Sequence, residues 1–389
     1  MATTATAFAD GHGLAHARAE SSAAHWSIYA VLFASTSVIL GVMWDISWHR
    51  TIGRDTFWTP AHIGIYLGGV VAGLTSGVLA LKTTFAGTGV ERGTAVRFWG
   101  FRAPLGAWVC IWGAFAMLTS APFDDWWHNA YGLDVKIISP PHMLLAAGIA
   151  AIQTGAMLMA LAWQNRAEQT RERRLLGWLY LYGAGLLVLL AATVATEHTQ
   201  RWDMHTAHFY QVSAGVFLFF IVSAARASVA RWPATTIALV YTAMTIFMLL
   251  LLPQFEAHPL LGPIYVQIDR FMPPDFPLLL IVPAIAIDLV MKRRFNDWAL
   301  AAVLSIVFIA VFAAVQYPFA DFLVSPGARN FFFASNRMPY SAPPVLQQRW
   351  YQIAPHDNLV AGLSIAALVG YASARCGLWW GNWMARVQR

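Results

Sequence analysis

The chain has 389 residues, of which 58% are hydrophobic and only 11% charged, and it carries 18 tryptophans and 24 phenylalanines. No soluble core buries that share of apolar side chains, which excludes a water-soluble globular protein. The net charge of +6 comes from arginine-rich connections between apolar runs, the charge pattern of membrane loops, so no nucleic-acid partner is expected.

In chain order, the first 25 residues are polar and carry no apolar run of their own, so no cleavable signal peptide is expected. Crossing a bilayer as a helix takes about 20 apolar residues. The hydropathy predicts an all-α, polytopic membrane helix bundle of about ten transmembrane helices. They lie near 26–47, 60–82, 98–121, 140–163, 174–196, 206–229, 233–253, 276–292, 297–320 and 357–380, the eighth being short. Residues 26–165 form a first four-helix region. Residues 166–389 add further spans with two long connections, 254–275 and 321–356. Cys110 and Cys376 read as small buried hydrophobes.

The connections alternate in charge. Basic residues follow the even spans: Lys82, Arg92, Arg97 and Arg102, then Arg166, Arg171, Arg173 and Arg174, then Arg226 and Arg231, then Lys292, Arg293 and Arg294. The odd connections hold most of the acids. The positive-inside rule then puts both termini in the cytoplasm, and the odd connections outside a bacterial inner membrane. Apart from His12, His16 and His25, every histidine (His49, His62, His128, His142, His198, His205, His208, His258, His356) falls in an odd connection or at an outer span end. One face is chemically specialised.

A motif recurs on that face. "DISWH" (45–49) is matched by "DDWWH" (124–128), and "TPAH" (59–62) by "SPPH" (139–142). In each unit an acid and a histidine stand at i and i+4, on one helix face about 5–6 Å apart at Cβ. A second histidine then follows a proline-marked helix start. Two imidazoles and a carboxylate on one face suit a divalent transition metal with open positions; iron, copper and zinc all accept the set. The alternative is a hydrogen-bonded Asp–His pair, but such groups at membrane depth are costly unless functional or paired. "TEHTQRWDMHTAH" (196–208) is a looser echo. There Glu197 and His208 are candidate ligands, and a supporting role beside ligating histidines is the alternative for each. Arg54 and Asp55 are expected to pair and pin the loop, and Asp288 to snorkel.

"DISWHRTIGRDTFWTPAH" resembles the metal-site stretch of the C subunit of particulate methane monooxygenase and ammonia monooxygenase, with the Asp-x-Ser-Trp-His, Arg-Asp-Thr and Thr-Pro-x-His elements in order. "DDWWHNAYGLDVKIISPPH" resembles that family's second metal stretch, with Asp124 where the family has Asn. The resemblance covers roughly residues 25–165. It implies a metal, copper in the family, held by Asp45, His49 and His62, and a second site at Asp124, His128 and His142. The extra negative charge at Asp124 leaves iron open beside copper. It further implies a component of an oxygen-dependent monooxygenase (an oxidoreductase) with a small apolar substrate, assembled as an oligomer with other membrane or periplasmic subunits. Copper transport or loading, or a structural subunit retaining the site, are the competing readings.

Overall fold

The computed structural model describes residues 4–132, 138–355 and 358–389, with side chains from Trp26 onward. His356 lies outside the described residues. In lipid every backbone N–H and C=O must be paired within its own segment, so apolar runs of this length become helices. Among the described residues, nine helices are long and apolar enough to cross a membrane, making this a multi-pass membrane protein built as an all-α bundle.

The order is α1 (Thr4–Thr51, apolar from Trp26), α2 (Pro60–Phe85), a short α3 (Gly89–Thr94), a small antiparallel hairpin of β1 (Val96–Phe98) and β2 (Phe101–Ala103), α4 (Leu105–Tyr131), α5 (Pro140–Gln164) and α6 (Thr170–Val194). Then come α7 (Ala207–Ala227), α8 (Pro233–Leu251), the short α9 (Ile281–Met291), α10 (Asp297–Val324), a short α11 (Pro344–Arg349) and α12 (Leu359–Met384). The third span starts later than its hydropathy implies, because "VRFWGFRA" (96–103) pairs as the hairpin across Trp99 and Gly100. It also runs ten residues further, carrying Asp124 and His128 on helix. Cys110 is buried, whereas Cys376 is exposed.

Small residues let the first helices approach closely, as lipid offers no hydrophobic drive between spans. A Cβ on Gly113 of α4 would fall 2.7 Å from the Gly148 carbonyl oxygen, and one on Gly148 of α5 2.8 Å from that of Gly113. Ser37 of α1 donates to the Gly64 carbonyl of α2 at 2.8 Å. The ends of α1, α2, α4 and α5 are thereby held together.

The eighth expected span, 276–292, is only half helix. Asp275 sits at the α1 C-terminal end of the bundle, 3.7 Å from Arg50 and 2.6 Å from Arg201. Asp288 sits at the other end, buried, accepting from the Ala234 and Thr235 N–H groups at 3.0 and 2.8 Å and from the Thr235 hydroxyl at 2.6 Å. Asp288 therefore caps the start of α8 rather than snorkelling. Between these points the chain traverses the bundle, extended to Leu280 and then helical as α9. The extended part exposes backbone that needs partners. Leu278 N–H donates to the Tyr241 hydroxyl (3.0 Å) and Leu279 N–H to the Gln316 side-chain oxygen (2.9 Å), both from buried residues of neighbouring helices.

Candidate metal centre

The first unit forms where α1 ends. Asp45 and His49 share a face of its last turns, and the chain then reverses at Gly53, whose φ of 86° suits glycine. A Cβ there would also collide with the Tyr340 hydroxyl. Trp48 pins the turn by donating its indole N–H to the Arg54 carbonyl at 2.7 Å. Pro60 opens α2 and delivers His62 two residues on.

Four side chains converge there. His49 Nε2 is 3.8 Å from Asp45 Oδ2 and 3.5 Å from Asp55 Oδ2; His62 Nε2 is 3.1 Å from Asp45 Oδ1 and 3.5 Å from Asp55 Oδ2. The expected Arg54–Asp55 pairing is corrected: Asp55 turns its carboxylate to the two histidines. The second unit repeats the plan at the α4–α5 junction. His128 Nε2 lies 3.4 Å from Asp124 Oδ2, and His142 Nε2 lies 3.5 Å from Asp124 Oδ1.

These distances bear on whether a metal fits. His62 Nδ1 sits 2.9 Å from the Thr56 carbonyl oxygen and His128 Nδ1 3.3 Å from that of Gly132. An imidazole donating through Nδ1 presents a bare Nε2, the usual way a ligating histidine is oriented. A neutral imidazole that donates through Nδ1 needs a cation between Nε2 and a carboxylate oxygen, whereas an imidazolium donates to that oxygen directly; a metal ion and a second ring proton both satisfy the arrangement. Asp45 Oδ1 and Asp124 Oδ1 are both buried atoms, and each faces a histidine nitrogen, at 3.1 and 3.5 Å. Metal bonds of ~2.0–2.1 Å set neighbouring ligand atoms roughly 3–3.5 Å apart. The atoms of each group (Asp45, His49 and Asp55; Asp124, His128 and His142) lie within 4.8 Å of one another. The second unit thus brings together the ligand set expected from the sequence, whereas in the first the mutually close set is Asp45, His49 and Asp55, with His62 reaching the two carboxylates from the other side; both sets suit a divalent transition ion.

The two units also face each other. His142 acts electrostatically on Asp45 across the helix pair, and Tyr66 of α2 interacts with Asp45, Asp55, Asp124 and Asp125 together. The Tyr66 ring is 6.0 Å from that of His62. Neither Tyr66 nor the part played by Asp55 was read from the sequence. Asp55 lies inside the "GRDT" element, but only the folded turn brings it to the histidines. Around the site, the buried indole nitrogens of Trp44 and Trp127 have no hydrogen-bond partner, while Trp126 is exposed like an interfacial aromatic.

Glu197 and His208 join neither group. Glu197 is exposed on a single turn after α6, and His208 Nε2 meets His198 Nδ1 at 3.2 Å at the start of α7. Beside that pair, burial raises the Asp203 carboxyl above its ordinary range, outweighing the opposing pull of His208 and His198. His205 is buried, with Nε2 2.9 Å from Asp321.

The second half of the chain braces the first unit from behind. Ser47 and Thr51 lie on the face of α1 away from the ligands. Ser47 donates to the Met272 carbonyl, and Met272 N–H donates to the Thr51 hydroxyl at 2.9 Å. Phe271 packs on Trp44 and Trp48, and Leu260 N–H reaches the Ile52 carbonyl at 2.9 Å. Burial alone would raise the Asp275 carboxyl, but Arg50 and Arg201 outweigh it and hold it below the ordinary carboxylate range. No family model matches the chain, and neither a curated protein nor a solved structure does.

Proposed function

We propose that the chain is a metal-binding integral membrane subunit of a copper-dependent, monooxygenase-like oxidoreductase, with its ligands at the outer face of a bacterial inner membrane and both termini in the cytoplasm. The observation that carries this is the recurrence of two like Asp/His units, in each of which imidazole Nε2 and carboxylate oxygens lie 3.1–3.8 Å apart. The resemblance of "DISWHRTIGRDTFWTPAH" to the monooxygenase C subunit supports the choice of copper and of oxygen chemistry. A copper or iron ion held there would supply oxygen activation.

The protein's own part is to bind and orient. Asp45, His49 and Asp55, with His62 beside them, would hold one ion, and Asp124, His128 and His142 the other. The Thr56 carbonyl accepts from His62 Nδ1 and orients the ring. Other membrane or periplasmic subunits complete the assembly. Metal transport would need a polar path through the spans, whereas beneath the second unit α4 and α5 are in glycine contact. That favours a resident ion.

The test is metal content of the full chain purified in nanodiscs, for wild type, His49→Ala and His128→Ala. The expected result is one ion per ligand set in wild type and loss of one ion in each variant, followed by oxygen-dependent oxidation in the assembled complex. Wild type that takes up no copper or iron after loading would overturn the reading.

A further inference from the structure

At the end of the bundle away from the ligands, a cavity of about 300 Å³ opens between the start of the α1 span, the last turns of α2, α3 and the end of α5. Its wall has two chemistries. Val78 and Leu79 of α2 line the part toward the bundle middle; Lys82, Arg166 and Arg389 line the part toward the end, with Trp26 and Trp163 beside them. Glu91 is the one acidic side chain among the lining residues; its carboxylate accepts the Thr88 N–H at 2.9 Å as part of the α3 cap and offsets part of the Arg166 charge. Lys82 is exposed and forms no ion pair among the described residues. Arg166 is fixed in place: its Nε donates to the Ala162 carbonyl (3.0 Å), one terminal nitrogen to the Thr94 hydroxyl (2.9 Å), and its plane lies over Trp163 at 4.5 Å. Among the described residues the guanidinium's remaining N–H donors have no hydrogen-bond acceptor.

We infer that this cavity is a binding site for one anionic phospholipid. Its phosphodiester is held by Arg166 and Lys82, and an acyl chain lies along Val78 and Leu79. A held guanidinium is suited to forked hydrogen bonding of phosphate, and lysine adds a point charge. An exposed tryptophan at the rim is the usual headgroup-level anchor. The excess of basic side chains (Lys82, Arg166 and Arg389) over the one acidic side chain (Glu91) selects an anionic headgroup over a zwitterionic one. The apolar inner wall selects a lipid over free phosphate. Basic pockets between spans at a membrane surface take such headgroups. The inference rests on the membrane placement of the chain and not on the metal reading.

The test is native mass spectrometry of the full chain, titrated with phosphatidylglycerol or phosphatidylcholine, with and without inorganic phosphate. Wild type should retain one phosphatidylglycerol through activation that strips phosphatidylcholine, and phosphate should not displace it. Lys82→Gln, an exposed helix-end change that leaves the fold intact, should lower retention about fivefold, the factor for ~1 kcal/mol per basic residue at a lipid surface. Lys82→Glu should lower it further, and Arg166→Gln should act in the same direction. Equal retention by wild type and Lys82→Glu, equal retention of both lipids, or displacement by phosphate would each overturn the site.

Discussion

At the scale of single residues, Asp55 has the largest consequence for the chemistry of the centre. Its Oδ2 is 3.5 Å from both His49 and His62 Nε2, so the first unit presents two carboxylates to two imidazoles, while the second presents one. A second carboxylate hardens the donor set and raises affinity for a divalent over a monovalent ion. Asp55→Asn should therefore weaken divalent metal binding at the first unit by about tenfold or more, the scale seen when a group touching metal-bound histidines is removed. A chelator-competition titration would read this, with the Asp124 unit as internal control. Unchanged affinity at both units would reduce Asp55 to a loop contact. The Asp45–His49 and Asp124–His128 pairs were legible in the sequence because i,i+4 spacing on a helix fixes a shared face. Asp55 was not, because its position depends on a turn that only Gly53, Trp48 and Thr59 close.

At the scale of elements, the ligand-bearing end of α1 is positioned by the segment around Met272–Asp275, from the half of the chain that the family resemblance does not reach. Arg201 is 3% exposed and bonds Asp275 at 2.6 Å. Asp275→Asn would leave that guanidinium buried without its counter-ion, which costs about 3 kcal/mol for a broken buried pair. It would also loosen Arg50, one residue from His49. Thermal unfolding in detergent at neutral pH should drop accordingly, and metal retention at the first unit should fall while the second is kept. The pH dependence has a definite sign. The native Asp275 carboxyl lies below its ordinary value, so its stabilisation is complete above about pH 4 and is lost as pH falls further through the native value. The gap between wild type and Asp275→Asn should therefore be constant from pH 7 to about pH 5 and narrow below about pH 4. A gap that closed on the alkaline side would contradict the ion pair. Helix packing yields a second element-scale prediction. Gly148→Val forces a side chain against the Gly113 carbonyl, 2.8 Å from the new Cβ, at about 1–3 kcal/mol for an overpacked contact. It should separate α4 from α5 and weaken metal binding at the Asp124 unit more than at the Asp45 unit.

At the scale of the whole molecule, hydropathy reads the nine full helices well, because 20-odd apolar residues have little alternative in lipid. It cannot read how residues 272–291 cross. The extended half is held by two polar side chains, Tyr241 and Gln316, that are distant in sequence and unmarked by any local pattern. The sidedness of the chain depends on that crossing. If 272–291 traverses the bundle, the crossings number ten, and both termini share the face opposite the metal ligands; if it turned back, everything after it would invert. Single cysteines read by a membrane-impermeant thiol reagent separate the two cases, after the exposed Cys376 is changed to alanine. Glu168→Cys, Arg294→Cys and Gln388→Cys should label from one side of sealed vesicles and Ser341→Cys from the other. The contacts of Asp275 at the ligand end and of Asp288 at the start of α8 are the basis for this expectation. Labelling of Arg294→Cys from the opposite side to Glu168→Cys would make the segment re-entrant. It would also place the C-terminal residues on the same face as the metal units.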